Sequence, residues 1–393
     1  MQTIYRIEGR VQHYSWGGYQ FIPSLLQIPN EDKQPCAEYW LGAHPAFPSK
    51  LSGQEQSLAT LIQSEGEKVL GRAGKKFASL PFLFKVLDVR QMLSIQVHPS
   101  KEEAVKGYRA EEEAGIPLGA PHRNYKDENH KPEAMVAISD FWLLHGFKPA
   151  EPLQALLASV PELSFLSDVF QSGGYQALYA LVMNLPQSNI NVLLHPLADR
   201  ILPLYDDDQL EKDSEHFWAA RAIRTFCKDG NLDRGIFSVY LFNLVHLRPG
   251  EGIYQPAGMP HAYLEGQNIE IMANSDNVLR GGLTDKHVDV DELMKHTAFD
   301  ATVPNILLPG ARGIFTTPAE EFCLSMHTGQ QEVVAESDSA QLVFVLKGAV
   351  SIAGGGEKAG LHTGQAALLS PRISFHIQPE GAAEFYKVSI PAT

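Results

Sequence analysis

Between Tyr125 and Glu133 the chain reads Tyr125-Lys126-Asp127-Glu128-Asn129-His130-Lys131-Pro132-Glu133, a run of polar and ionisable side chains. It passes without a break into the apolar Ala134-Met135-Val136-Ala137-Ile138. Pro132 fixes its own φ and biases Lys131 toward extended backbone, so Lys131 and Glu133 are expected on the same side of the segment. A lysine and a carboxylate held side by side can serve as a base and a metal ligand, and His130 is a second acid–base candidate. Taken alone, the same composition describes a solvated loop, so other stretches must decide between the two readings.

Two other stretches do so. In Leu93-Ser94-Ile95-Gln96-Val97-His98-Pro99, the polar Ser94, Gln96 and His98 alternate with Ile95 and Val97 and share one face of a strand. In Gly250-x5-Pro256-x-Gly258-x2-His261, glycines and a proline turn two strands tightly and set His261 on the returning strand. That spacing resembles half of the metal-binding motif of cupins, with Glu265 where an Asn is usual. Gln96, His98, Glu133 and His261 then form a donor set of two imidazoles, a carboxylate and an amide oxygen. Such a set suits one Zn²⁺ per subunit with room for water or substrate, and its ligand types also admit other divalent metals. Further on, Glu270 alternates with Ile269 and Ile271, so it faces either solvent or a polar cavity. Arg280 stands before Gly281-Gly282, which would let a ligand come close, and Lys286 follows; a guanidinium fork with a lysine is a common phosphate clamp.

Together these stretches resemble the type I phosphomannose isomerases. Tyr125-x-Asp127-x-Asn129-His130-Lys131-Pro132-Glu133 is similar to their first signature, and the segment from His261 to Lys286, with Ser275-Asp276-Asn277-Val278-Leu279-Arg280, to their second. Gly281 replaces the usual Ala, and Asp285 the usual Pro before Lys286. The resemblance implies a cupin-type metal enzyme interconverting mannose 6-phosphate and fructose 6-phosphate. It makes Gln96, His98, Glu133 and His261 the metal ligands and has Ser94, Arg280 and Lys286 contact the phosphate. It also places Lys131 beside the sugar carbons, ahead of His130, Glu270 and Asp276 as the proton-transfer group. A cupin-type metal oxygenase and a non-catalytic sugar-phosphate-binding protein are the competing readings.

Positioning these residues takes several elements. The fold expected is mainly β with a helical insertion. Residues 1–150 and 235–318 form a discontinuous jelly-roll catalytic domain, 151–234 a helical domain, and 319–393 a second cupin-like β domain without metal. Helices are expected at 58–70 and after Ser100, and a long apolar strand from Val239 to Leu247. Asp206-Asp207-Asp208 is expected at a helix N-terminus. His13, His44, His145 and His195 are expected in core or surface roles.

At 393 residues the chain exceeds one ordinary core, and 44% hydrophobic with 20% charged residues describes a globular protein. Its formal net charge of −14 argues against a nucleic-acid partner and means that an anionic substrate needs a local cationic pocket. There is no apolar run of membrane-spanning length and no signal-peptide pattern, and the only three cysteines, Cys36, Cys227 and Cys323, are scattered. A cytoplasmic monomer acting on a small sugar phosphate is the expectation.

Overall fold

The computed structural model describes residues 2–391. Its catalytic half is organised on the strand His261–Ala273. The C-terminal part of that strand pairs with Phe82–Val89 on one side and Glu133–Ala137 on the other. Its N-terminal end pairs instead with Ile95–Val97 and Phe141–Phe147. The change of partners accompanies a bulge between Tyr263 and Glu265, next to Gly266 at φ 127°, which re-aims the strand from one wall of the sandwich to the other. Glu38–Gly42 and Arg10–Gln12 extend the first wall, and Leu279–Gly282 and Phe242–Leu247 the second. These sheets are open and not closed barrels.

A second sandwich packs a six-stranded sheet on a four-stranded one. Val343, Val345, Ile352, Phe375 and Phe385 form the core between them. The opposite face of the six-stranded sheet packs on the catalytic half, where the Phe84 and Phe344 ring centroids are 5.3 Å apart. The first strand, Ile4–Glu8, was expected in the catalytic half, but it pairs with Ala366–Leu369 of this C-terminal sheet.

The helical stretch comprises Ala150–Ser159, Leu166–Asn184, Gln187–Asp206, Glu215–Phe226 and Gly235–Leu241 around buried Trp218, Tyr179 and Tyr240. Two expectations fail here. The run from Val239 is helical to Leu241 and becomes strand only at Phe242–Leu247. That helix is buried on every side, so its sequence shows no polar period, and Asp233 Oδ1 accepts from Gly235 N at 2.7 Å to start it. The acidic triplet lies at a helix C-terminus, where Asp206 is held by Arg224. The helices at Leu58–Leu70 and Lys101–Glu113 form as expected, the latter capped by Ser100 Oγ, which accepts from Glu103 N at 3.3 Å. No helix among the described residues is long and apolar enough to cross a membrane.

Glu265 ties the long strand to the helical stretch through ion pairs with Lys212 and Arg221. Burial pushes its carboxyl up, but hydrogen bonds from the two cations outweigh this and hold it below the ordinary carboxylate value. A depressed folded value means that the unfolded chain takes up the proton first. The stability Glu265 contributes is therefore present at neutral pH and lost as pH falls through the folded value. Glu265→Gln is expected to cost on the order of 1 kcal/mol at pH 7 and progressively less as pH falls through the depressed folded value. Urea melts of both proteins across that range check this, and a pH-independent difference would contradict it.

Candidate active site and metal centre

His98, Glu133 and His261 converge from three strand segments, and one ligand atom from each lies within 4.8 Å of the others. All three are buried. His98 Nδ1 donates to Asn277 O at 2.7 Å and His261 Nδ1 to Met259 O at 2.9 Å. A carbonyl can only accept, so in its neutral form each imidazole carries a bare lone pair on Nε2. Those two Nε2 atoms stand 3.5 and 3.3 Å from the Glu133 carboxylate oxygens, and His98 Nε2 has no hydrogen-bond partner. Burial, with Lys131 second, brings His98 down to about 4, so it is neutral at physiological pH. For Glu133, burial works upward, but Lys131 and His98 pull the carboxyl well below its usual range. Two lone pairs facing a carboxylate in a buried site repel one another unless a cation lies between them. The residues present therefore fit a divalent metal.

The expected fourth ligand, Gln96, faces the same space. Arg280, Gln96 and His261 are directly opposed across the three neighbouring strands and therefore share one face. His145 is opposed to His261 in the same row, and its Nε2 donates to Tyr254 O at 3.2 Å. Gly258, at φ 81°, makes the turn before His261 and donates its N–H to His98 O at 2.9 Å, tying the two histidine strands together.

Beside the metal ligands is a small cavity of about 70 Å³, which meets a larger cleft of about 670 Å³. Glu133, His261 and Glu270 line only the first; Ser94, Asp276, Arg280 and Lys286 line only the second. Lys131 and Gln96 line both. Lys131 Nζ lies 3.0 Å from Glu133 Oε1, as the alternation around Pro132 requires. Glu270 is buried in the polar cavity and not solvent-facing, 3.0 Å from Lys85 Nζ and 2.8 Å from the Tyr263 hydroxyl. Burial, with Glu133 adding to it, raises its carboxyl despite the lysine. Asp276 is paired with His44 at 3.2 Å. Asp285, next to Lys286, also lines the cleft.

Two readings need correction. His130 does not reach this cleft: its ring pairs with Glu321 at 2.7 Å and faces a separate one. Gly281 gives close approach to protein and not to ligand, since a Cβ there would stand 2.6 Å from the Tyr179 hydroxyl and 2.9 Å from Ile95 Cγ2. The sequence reading also missed residues. Lys85, held between Glu38 and Glu270, lines both cavities. The signal was one lysine inside the apolar strand Phe82–Val89. His44, set aside as structural, supports Asp276 at the cleft.

Much of what makes the two long motifs distinctive is a lock between them. Asp127 Oδ1 accepts from Ser275 Oγ at 2.8 Å and Oδ2 from Asp276 N at 2.8 Å. Asn277, fully buried, donates from Nδ2 to the carbonyls of Asp127 and Asn129 at 2.8 Å each and accepts from Lys126 N at 2.7 Å. Its own carbonyl holds the His98 ring. Asn277→Ala is expected to leave those groups unpaired, costing about 3 kcal/mol of stability. Loosening of His98 should weaken metal binding about 10- to 100-fold. Competition with a chelating dye measures the affinity, and wild-type affinity in a folded variant would show that the lock does not orient His98.

The chain is similar to known proteins over most of its length. A family model described as phosphomannose isomerase type I, catalytic domain, matches residues 4–150. Mannose-6-phosphate isomerase of Escherichia coli (strain K12) is 36% identical over 378 residues, covering 93% of this chain and 94% of that protein. Mannose-6-phosphate isomerase 1 of Arabidopsis thaliana is 30% identical over 425 residues, covering 99% and 94%. The crystal structure of mannose 6-phosphate isomerase from Salmonella typhimurium, bound to the substrate fructose 6-phosphate and zinc, superposes with a TM-score of 0.89 at 31% identity over the whole of both chains.

Proposed function

The chain belongs to the type I phosphomannose isomerases, a metal-dependent enzyme interconverting mannose 6-phosphate and fructose 6-phosphate, and we propose how its residues divide that work. Its metal is Zn²⁺, which His98, Glu133 and His261 would hold, with the Gln96 amide oxygen at the same cavity as the fourth donor. The observation that carries this is the pair of bare Nε2 atoms set against the Glu133 carboxylate. When bound, the metal supplies positive charge that stabilises the oxygen where negative charge develops.

The two joined cavities set the direction in which the substrate lies. Arg280 and Lys286, with Ser94, take the phosphate in the larger cleft, which places the other end of the open-chain sugar, C1 and C2, at the inner cavity. Lys131 stands where the cavities meet; as the neutral amine its Nζ takes the C2 proton of the aldose and returns it to C1 through an enediolate, while the O2 hydroxyl proton passes to O1. Glu270 is committed to Lys85 and Tyr263, and it fixes that wall of the inner cavity. Asp276, held by His44, orients sugar hydroxyls where the cleft is open. The cleft is completed within one chain, which supports a monomer, and the three free cysteines suit a reducing, cytoplasmic compartment.

A coupled assay for fructose 6-phosphate from mannose 6-phosphate, on chelator-stripped protein before and after adding Zn²⁺, tests the reading. Activity should vanish and return; no turnover with any divalent metal would overturn it.

A further inference from the structure

The second sandwich holds a polar cleft that the isomerase reaction does not use. It lies along the outer strands Cys323–Gly329 and Ala383–Ser389 of the six-stranded sheet and measures about 1000 Å³. Ser325 opposes Lys387 and His327 opposes Phe385 across these strands. Phe385 belongs to the core between the two C-terminal sheets, so Ser325, His327 and Lys387 share its inward-looking face, at the end of the sandwich. We propose that this cleft is a second sugar-phosphate site, with Arg312 and Lys387 taking the phosphate and Ser325, Glu332 and Glu336 the hydroxyls.

Neither cation has a carboxylate partner among the described residues. Lys387 Nζ has only the Gln341 amide oxygen, at 3.4 Å, and the amide nitrogen of that fully buried glutamine is itself unpartnered. Arg312 lines the cleft from a short turn, held at φ 59°. Burial lowers the proton affinity of Lys387 and Arg312 adds to this, with Cys323 opposing. Two like charges brought together without a counter-ion favour an anion between them. His327 is kept neutral, at about 4, by burial and then by Lys387; its Nε2 bonds the Ser325 hydroxyl at 3.0 Å, and its ring stacks on Phe385 at 5.0 Å. It therefore orients the hydroxyl without adding charge. The acids lie on the far side of the opening, flanking the strand Val333–Ala335, with Glu332 already bonded to His376 at 2.9 Å. Cations on one side and carboxylates on the other match a molecule with a phosphate at one end and hydroxyls at the other, and the volume accommodates a hexose phosphate.

Calorimetric titration of the zinc-loaded full chain in phosphate-free buffer tests this, with glucose 6-phosphate and inorganic phosphate as separate probes. Wild type should show a site for glucose 6-phosphate that Arg312→Gln/Lys387→Gln weakens roughly tenfold or more, the loss of a charge-assisted hydrogen bond. The kcat and KM for mannose 6-phosphate should be unchanged, since neither residue touches the catalytic cleft. Arg312→Gln alone, at an exposed turn residue, should weaken the site in the same direction even if the double variant folds poorly. Identical isotherms in wild type and Arg312→Gln overturn the proposal, as does a site that takes inorganic phosphate alone.

Discussion

Glu133→Gln should purify without zinc and lose activity by about 10³-fold or more, the several kcal/mol that a bound dication contributes to charge stabilisation. The substitution keeps the shape of the side chain and removes its charge. In the native site two imidazole Nε2 atoms face a carboxylate at 3.3 and 3.5 Å, an arrangement that a divalent cation between them reconciles. An amide changes that balance in two ways. It removes the anionic ligand, and it brings N–H donors that can bond His98 Nε2 or His261 Nε2 directly. The same change leaves buried Lys131 without its carboxylate partner at 3.0 Å, so the metal-free variant should melt below metal-free wild type as well as being inactive. Metal analysis, the coupled assay and thermal melts of stripped proteins check the three parts together. A variant that keeps one zinc per chain and most of its activity would show that Glu133 is not a ligand, and one that melts with stripped wild type would show that buried Lys131 does not depend on it.

How much of this site could be read from the sequence follows from which contacts are local. Lys131 and Glu133 share a side because Pro132 keeps the backbone extended, a relation contained in three residues. The same alternation puts His130 on the other side, facing Glu321, so it should have excluded His130 from the cleft. Ser94, Gln96 and His98 were legible for the same reason. Lys85 stood out as one lysine in an apolar strand, but its role did not, because Glu270 stands opposite it through strand register between segments far apart in sequence. His44 was missed in a similar way, as its partner Asp276 comes from a distant loop. At the level of the fold, the jelly-roll texture and the helical insertion were visible in turn residues and apolar periods. The helix Gly235–Leu241 was taken for strand because an element apolar on every side has no period to read. Nothing in Ile4–Glu8 itself could have revealed that its partner strand lies more than 350 residues away.

Lys131→Ala should lower kcat by about 10²- to 10⁴-fold, the usual contribution of a positioned proton-transfer group, while zinc content stays near one per chain. Zinc is retained because all four proposed ligands remain, and KM for mannose 6-phosphate changes little because the phosphate clamp lies in the outer cleft. A loss of activity alone would not separate proton transfer from charge, since Lys131 also balances the Glu133 carboxylate at 3.0 Å. Lys131→Arg separates them. A guanidinium preserves the positive charge beside Glu133 but does not release its proton under enzymatic conditions. If Lys131 Nζ carries the proton between C2 and C1, the arginine variant remains as impaired as the alanine variant. Exchange of the C2 proton of mannose 6-phosphate with solvent deuterium, followed by NMR, should stop in both. If the lysine acts only as a counter-charge, arginine restores activity and exchange together, and the proton must then pass to Asp276 or Glu270. Of these Glu270 is the one whose carboxyl is raised by burial, but its oxygens are occupied by Lys85 and Tyr263, whereas Lys131 has one close carboxylate partner and lies where both cavities meet. That difference in commitments is the physical reason to expect the arginine variant to stay inactive.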